Sequence, residues 1–431
     1  MSGKRLTTHE ELHGLQSDVF QYFLDEVNPA NGLIRDKTAK DWPSSITATG
    51  FALTAYPIAV ERGFITRDLA IERTLTTLRF FWKSPQGPEA DATGYKGFYY
   101  HFLDMNTGRR VWNCEISTVD TAFLLAGMLT VGLYFDRDTE DEREIRWLSD
   151  ELYRRVDWQW AQNKGDTVCH GWKPESSFLE FRWGGYNEAL LVYMLGLGSP
   201  TFPLTEKSYE AWTSTYEWKD LYGLEHLYAG SLFIHQLSHV WVDFRQIQDA
   251  FMREKGIDYF ENSRRATYVQ QQYAMINPLG FTGYSSCCWG ITASDGPGPA
   301  TLIIDGIERQ FYDYLARSIP NGPDDGTIAP WAALASLPFA PEIVLPVLDH
   351  YSYTLGLRQR YGFKSTFNHT FPEQEKGYDY WLAPYHFGLN LGPIFLMAEN
   401  HCTGFLWNLM KKSPYLVNGL RRAGFAGGWL G

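Results

Sequence analysis

Thr118-Val119-Asp120-Thr121-Ala122-Phe123-Leu124 opens on small and polar residues and then turns apolar on every side. A helix that is apolar all round has no face to give to water, so this run predicts a buried helix. Five other runs share the pattern: Thr47-Ala48-Thr49-Gly50-Phe51-Ala52-Leu53, Tyr186-Asn187-Glu188-Ala189-Leu190, Gly230-Ser231-Leu232-Phe233-Ile234, Thr327-Ile328-Ala329-Pro330-Trp331-Ala332-Ala333 and Gly388-Leu389-Asn390-Leu391-Gly392-Pro393. Alternating with them, residues 12–27, 66–82, 139–160, 247–275 and 341–355 carry apolar side chains at spacings of three and four with charges between. That is the pattern of amphipathic outer helices. Six buried starts, each with an amphipathic neighbour, predict an all-α fold of six helical hairpins closing into a toroid with inner and outer rings. No Ser/Pro-rich linker, charge block or low-complexity run divides the chain, so residues 1–431 are expected to form a single domain. The inner N-termini and the long loops at 84–114, 161–187, 277–300 and 361–387 would gather at one end. Orphan N–H groups and positive dipole ends collect there, which predicts a polar cleft.

Composition narrows the partner. Of 431 residues 44% are hydrophobic, enough for a large packed core and against disorder. The net charge of −12, with no basic stripe, argues against nucleic acid and anionic membranes. With 16 Trp, 26 Tyr and 27 Phe, aromatic content exceeds what such a core needs, and sugar rings present C–H faces that stack on these side chains. The N-terminus lacks the apolar stretch of a signal peptide and no window is long enough to span a membrane, so the chain as given is expected in the cytoplasm, or in the periplasm or medium if a leader has been removed. Five cysteines, an odd number without Cys-x-x-Cys spacing, indicate neither a disulfide framework nor a zinc site.

The chemistry concentrates at Trp183-Gly184-Gly185-Tyr186-Asn187-Glu188, where a Gly-Gly turn beside aromatic rings presents one carboxylate at the head of a predicted helix. A glycosidic oxygen leaves poorly until it is protonated, and a desolvated Glu has its pKa raised toward working pH. The plainer reading is a carboxylate that sits in a first helical turn because the macrodipole favours it there.

Six segments together resemble the glucoamylase-like domain of glycoside hydrolase family 144: 97–104 (GFYYHFLD), 115–122 (EISTVDTA), 183–189 (WGGYNEA), 235–245 (HQLSHVWVDFR), 290–297 (GITASDGP) and 325–330 (DGTIAP). The resemblance runs through nearly the whole chain in order. It implies an (α/α)6 toroid and an inverting hydrolase acting on β-1,2-glucan or its oligosaccharides, without a cofactor. It also implies Glu188 as general acid, with Asp120 and Glu115 on the facing inner helix start. Being five apart, those two need not point the same way, and Asp120 is favoured; its plainer reading is a helix N-terminal carboxylate or the partner of a loop arginine. Two positions depart from the family pattern. Where it carries Gly-Ile-Asp-Gln-Gly-Pro and Gly-Phe-x-Asp-Ala-Phe-Asn, this chain has Asn390 and Ser365 at the aspartates. An inverting enzyme needs a base on the far side of the sugar ring. If either lost carboxylate served as base, Asp379 is the nearest substitute. The same change fits another linkage, transglycosylation, or sugar binding without catalysis.

Trp172, Trp183, Trp289, Trp331 and Trp381 are candidate stacking platforms. Tyr186, His101, His386, Asp295 and Asn390 are candidate contacts to sugar hydroxyls, each with a structural alternative as a satisfied polar group. His235 and His239 have metal-ligand spacing on a predicted helix, but without the protease pattern they read better as a hydrogen-bonded pair, and no metal is expected.

Overall fold

A computed structural model describes residues 7–372 and 378–431. The chain groups into two compact units, each assembled from three segments. The larger comprises 23–217, 238–259 and 403–431, the smaller 1–22, 218–237 and 260–402. No described helix is long and apolar enough to cross a membrane.

In the larger unit, the runs beginning at Thr47 and Thr118 lie in the helices Ile46–Glu61 and Thr118–Tyr134, which pack directly on each other. Their apolar surfaces explain the pairing, and two glycines set its closeness. A Cβ added to Gly127 would stand 2.2 Å from the Gly50 carbonyl oxygen. Beside this contact Phe51, Phe123 and Trp241 stack with centroids 5.6 to 6.5 Å apart, and the Trp241 indole donates to Thr54 Oγ1 at 3.1 Å. Each such buried ring contributes roughly 1.5–3 kcal/mol. The amphipathic helices Arg67–Lys83 and Glu140–Arg154 cover the pair and touch each other. Thr66 and Thr139 cap them through side-chain oxygens. Leu190–Gly198, buried along its whole length, packs on Thr118–Tyr134 and on Pro414–Arg422.

The mainly helical expectation holds, but all-α is too strict. A five-stranded antiparallel sheet runs through Gly94–Tyr95, Phe98–Tyr100, Ile116–Ser117, Gly171–Lys173 and Ser177–Phe178. Tyr99 pairs with Ser117 and Ile116 with Trp172, which fixes the approach to the helix starting at Thr118. Several predicted helices are also broken. Residues 247–275 divide into Ala250–Lys255 and Tyr259–Ile276 at Gly256, whose φ of 70° is left-handed. Helix 139–160 stops at Arg154 before a short turn Trp158–Ala161, and 341–355 becomes Pro341–Asp349 followed by a π turn. The run 230–234 forms no α-helix but one of two 3-10 turns, Leu232–His235 and Leu237–Val240, so the helical spacing of His235 and His239 does not arise.

In the smaller unit Pro330–Leu334 packs on Gly388–Cys402 and Pro341–Asp349. The Gln270 amide closes two hydrogen bonds on the Ile291 backbone. Arg317 and Asp325 form a fully buried ion pair, Nε to Oδ1 at 2.8 Å.

Gly127→Val should destabilise the larger unit by about 1–3 kcal/mol through overpacking, visible as a lowered midpoint in thermal denaturation. An unchanged midpoint would contradict the close helix approach.

Candidate active site

Asp120 and Glu188 both belong to the larger unit, and local geometry explains each. Ser45 and Ser117 cap neighbouring helices through their side chains. Ser117 Oγ accepts from the Asp120 backbone N–H at 3.2 Å and donates back to the Asp120 carboxylate. Thr47 Oγ1, from the start of the other helix, donates to the same carboxylate at 2.6 Å. One carboxylate therefore ties two helix starts together. Ser-x-x-Asp ahead of an apolar run is a signal that could have marked this cap but was missed in the sequence; Thr47 carried no comparable signal.

His101 lies beside this point. Its Nε2 is 3.7 Å from Asp120 Oδ2 and its Nδ1 3.1 Å from Glu115 Oε1, across paired strands. Burial alone would lower the imidazole pKa, but the charges of Asp120 and Glu115 prevail and raise it to about 9. Burial likewise opposes Glu115, yet the hydrogen bond and charge of His101 hold that carboxyl at about 2. Glu115 thus serves His101 directly and acts on Asp120 through it.

Glu188 follows the Gly184-Gly185 turn, where Gly185 has φ 75°. The helix begins two residues later, at Leu190, so Glu188 stands in the turn before it and not within its first turn. Asn187 Oδ1 accepts from Ala189 N–H, while Ser238 Oγ accepts from Leu191 N–H and donates to the Glu188 carbonyl. These bonds hold the main chain around the carboxylate. Burial pushes the Glu188 carboxyl up to about 7; the negative charge of Asp120 adds to the rise and its own backbone N–H opposes it. A carboxyl that keeps its proton near neutral pH beside a second carboxylate has the chemistry that acid/base work requires.

Trp183 connects the two segments. Its indole donates to Thr118 Oγ1 at 2.9 Å, and its ring stacks on His170 with centroids 3.7 Å apart. It is buried, as is Tyr186 between the rings of Tyr216 and Tyr259. Trp289 is fully buried, its N–H on the Ser286 carbonyl, so it offers no face to a ligand and packs the core instead. Trp172 is half-buried against Tyr95 and Trp160.

The remaining candidates lie in the smaller unit. Asn390 Nδ2 donates to Ser365 Oγ at 3.2 Å, so the two positions that carry aspartates in the family pattern touch here as a neutral pair. Asp295 is half-buried, with its carbonyl accepting from Thr366 Oγ1. Arg317 donates to the preceding Ser294 carbonyl, and Asn368 donates to the Asp325 carbonyl and Thr327 Oγ1. Arg317 was missed in the sequence because its role rests on burial alone. Burial and the Lys364 charge lower His386 to about 4, leaving a neutral ring edge-on to Tyr361. Trp331 is buried and its indole N–H has no hydrogen-bond partner among the described residues. Trp381 is half-buried in a strand pairing with Asn368, and Asp379 is exposed; Gly377 of the same motif lies outside the described residues. Among the described residues no group of three or more His, Cys, Asp or Glu is placed to hold a metal ion.

Residues 180–414, more than half of the chain, match the Glycoamylase family model, described as "Putative glucoamylase", and the chain belongs to that family. It is 28% identical over 453 residues to the exo β-1,2-glucooligosaccharide sophorohydrolase (non-reducing end) of Parabacteroides distasonis. That match takes in 97% of this chain and spans 58% of the relative's length. A crystal structure from Bacteroides uniformis with the same family description superposes at TM-score 0.88 with 30% identity, covering 100% of both chains. The endo-β-1,2-glucanase of Chitinophaga pinensis, solved with sophorotriose and glucose, gives TM-score 0.86 at 25% identity, over 99% of this chain and 100% of that one.

Because His101 binds its proton more tightly folded than unfolded, its contribution to stability is complete below pH 6.5 and fades as pH rises through about 9. An NMR titration should place its imidazole near 9, and Glu115→Gln should lower that midpoint; a native midpoint near 6.5 would contradict the site geometry.

Proposed function

We propose that the chain is an inverting glycoside hydrolase of β-1,2-linked gluco-oligosaccharides, built as a single (α/α)6 toroid of six helical hairpins. The observation that carries the reading is the Glu188 carboxyl at about 7 beside the charge of Asp120. In this reading Glu188 donates its proton to the glycosidic oxygen as the bond to the anomeric carbon breaks. Asp120, oriented by Thr47 and Ser117, is the carboxylate that takes a proton from the attacking water. Exposed Asp379 is the alternative base. The activities for which the Parabacteroides and Chitinophaga relatives are named support the linkage, and the direct packing of inner on outer helices supports the hairpin architecture.

The neutral contact between Asn390 and Ser365 favours a second reading, in which the same fold cleaves a different linkage or transfers the sugar to an acceptor other than water. Product analysis by NMR on a panel of linkages separates the two, since inverted sophoro-oligosaccharide products arise only in the first.

Glu188→Gln should lower kcat by about two to four orders of magnitude, and the wild-type rate should fall as pH rises through about 7, where the acid loses its proton. A fully active Glu188→Gln enzyme would remove Glu188 from the mechanism. Stability changes in the same direction. A carboxyl with a raised folded-state pKa stabilises below its unfolded value, and that stabilisation is lost as pH rises through about 7. Glu188→Gln should therefore melt at or above the wild-type temperature at pH 8; a lower midpoint there would contradict burial as the cause of the shift.

A further inference from the structure

The loop between Leu103 and Ile116 holds Trp112 outward, 56% exposed, with φ 56° followed by Asn113 at φ 50°. Two successive non-glycine residues in the left-handed region are uncommon. The conformation keeps a large indole in water, against the usual gain from burying it. Its edge rests on Trp42 at 4.8 Å, and it leans on Phe102 at 5.2 Å. Phe102 in turn lies flat on His101, with centroids 4.1 Å apart and planes 12° from parallel. A continuous run of rings thus leads from the His101–Asp120 contact to the exposed indole.

Both tryptophans line a cavity of about 390 Å³, together with Asp41, Asp104 and Asn106. Asp104 Oδ1 closes a turn on Asn106 and Thr107, which sets the shape of that lining. Trp42 is itself fixed, its N–H on Asp36 Oδ2 at 3.1 Å and Lys37 over its ring at 4.0 Å. An exposed flat apolar face with carboxylate and amide groups around it suits a pyranose, whose C–H face stacks while its hydroxyls meet the polar groups.

We propose that Trp112 and Trp42 form an outer subsite that holds a further glucosyl unit of an oligosaccharide whose scissile bond lies at Glu188 and Asp120. This rests on the hydrolase reading, and it predicts that chain length matters. The test is steady-state kinetics of wild type, Trp112→Ala and Trp112→Phe on β-1,2-gluco-oligosaccharides of increasing length. Calorimetric binding of the longest of them to Glu188→Gln, with and without Trp112→Ala, is measured alongside. The expected result is a KM about tenfold higher for Trp112→Ala on long substrates, with kcat retained, no change on the shortest substrate cleaved, and recovery by Trp112→Phe. Equal effects at all lengths, or none, in a folded Trp112→Ala protein would overturn the subsite while the hydrolase reading stood. Absent turnover by the wild type, with binding that still depends on Trp112, would overturn the hydrolase reading and support the subsite as a sugar-binding surface. Absence of both turnover and binding would overturn both.

Discussion

The Asp120 carboxylate is shared by two helix starts, and the chemistry of the larger unit is arranged around that sharing. Thr47 and Ser117 hold it from the neighbouring helices Ile46–Glu61 and Thr118–Tyr134. Those helices can be neighbours this closely because Gly50 and Gly127 remove the side chains that would separate them. A negative charge fixed there has two consequences of opposite sign. It makes His101 a firmer base, held as imidazolium between Asp120 and Glu115. It also makes Glu188 a weaker acid, since a second charge beside the first in a desolvated site is disfavoured.

The remaining contacts serve to keep Glu188 within reach of that charge. Trp183 bonds to Thr118, one residue past the cap, and Ser238 bridges the Glu188 carbonyl and the Leu191 N–H. Such polar contacts contribute modestly to net stability, of order 1 kcal/mol each, but leaving them unmade is costlier. Their effect here is positional. A buried carboxyl that at high pH must either stay ionised out of water or take up a proton on folding opposes stability there.

Much of this was legible in the sequence, for reasons that also explain the failures. The all-round apolar runs at 47–53, 118–124 and 388–393 do lie in long buried helices, because continuous burial leaves a strong compositional trace. The run at 230–234 is as apolar but too short to choose its own conformation. Ser231 bonds to the Arg317 carbonyl and Gln236 to the Ala332 carbonyl and Ser336, contacts from distant sequence that settle it as 3-10 turns. Two-residue strands such as Ile116–Ser117 have no alternation to detect. Glu188 and Asp120 could be singled out because their motifs mark the approach to a helix and its first turn. Among tryptophans, composition gives no means to tell buried Trp289 from exposed Trp112, since only three-dimensional packing decides which ring keeps a free face.

The most direct test of the central claim is a ¹³C NMR titration of the Glu188 side-chain carboxyl in the wild type and in Asp120→Asn. The account predicts a midpoint of about 7 in the wild type and a lower one once the Asp120 charge is removed. A wild-type midpoint in the ordinary glutamate range, unmoved by Asp120→Asn, would contradict it.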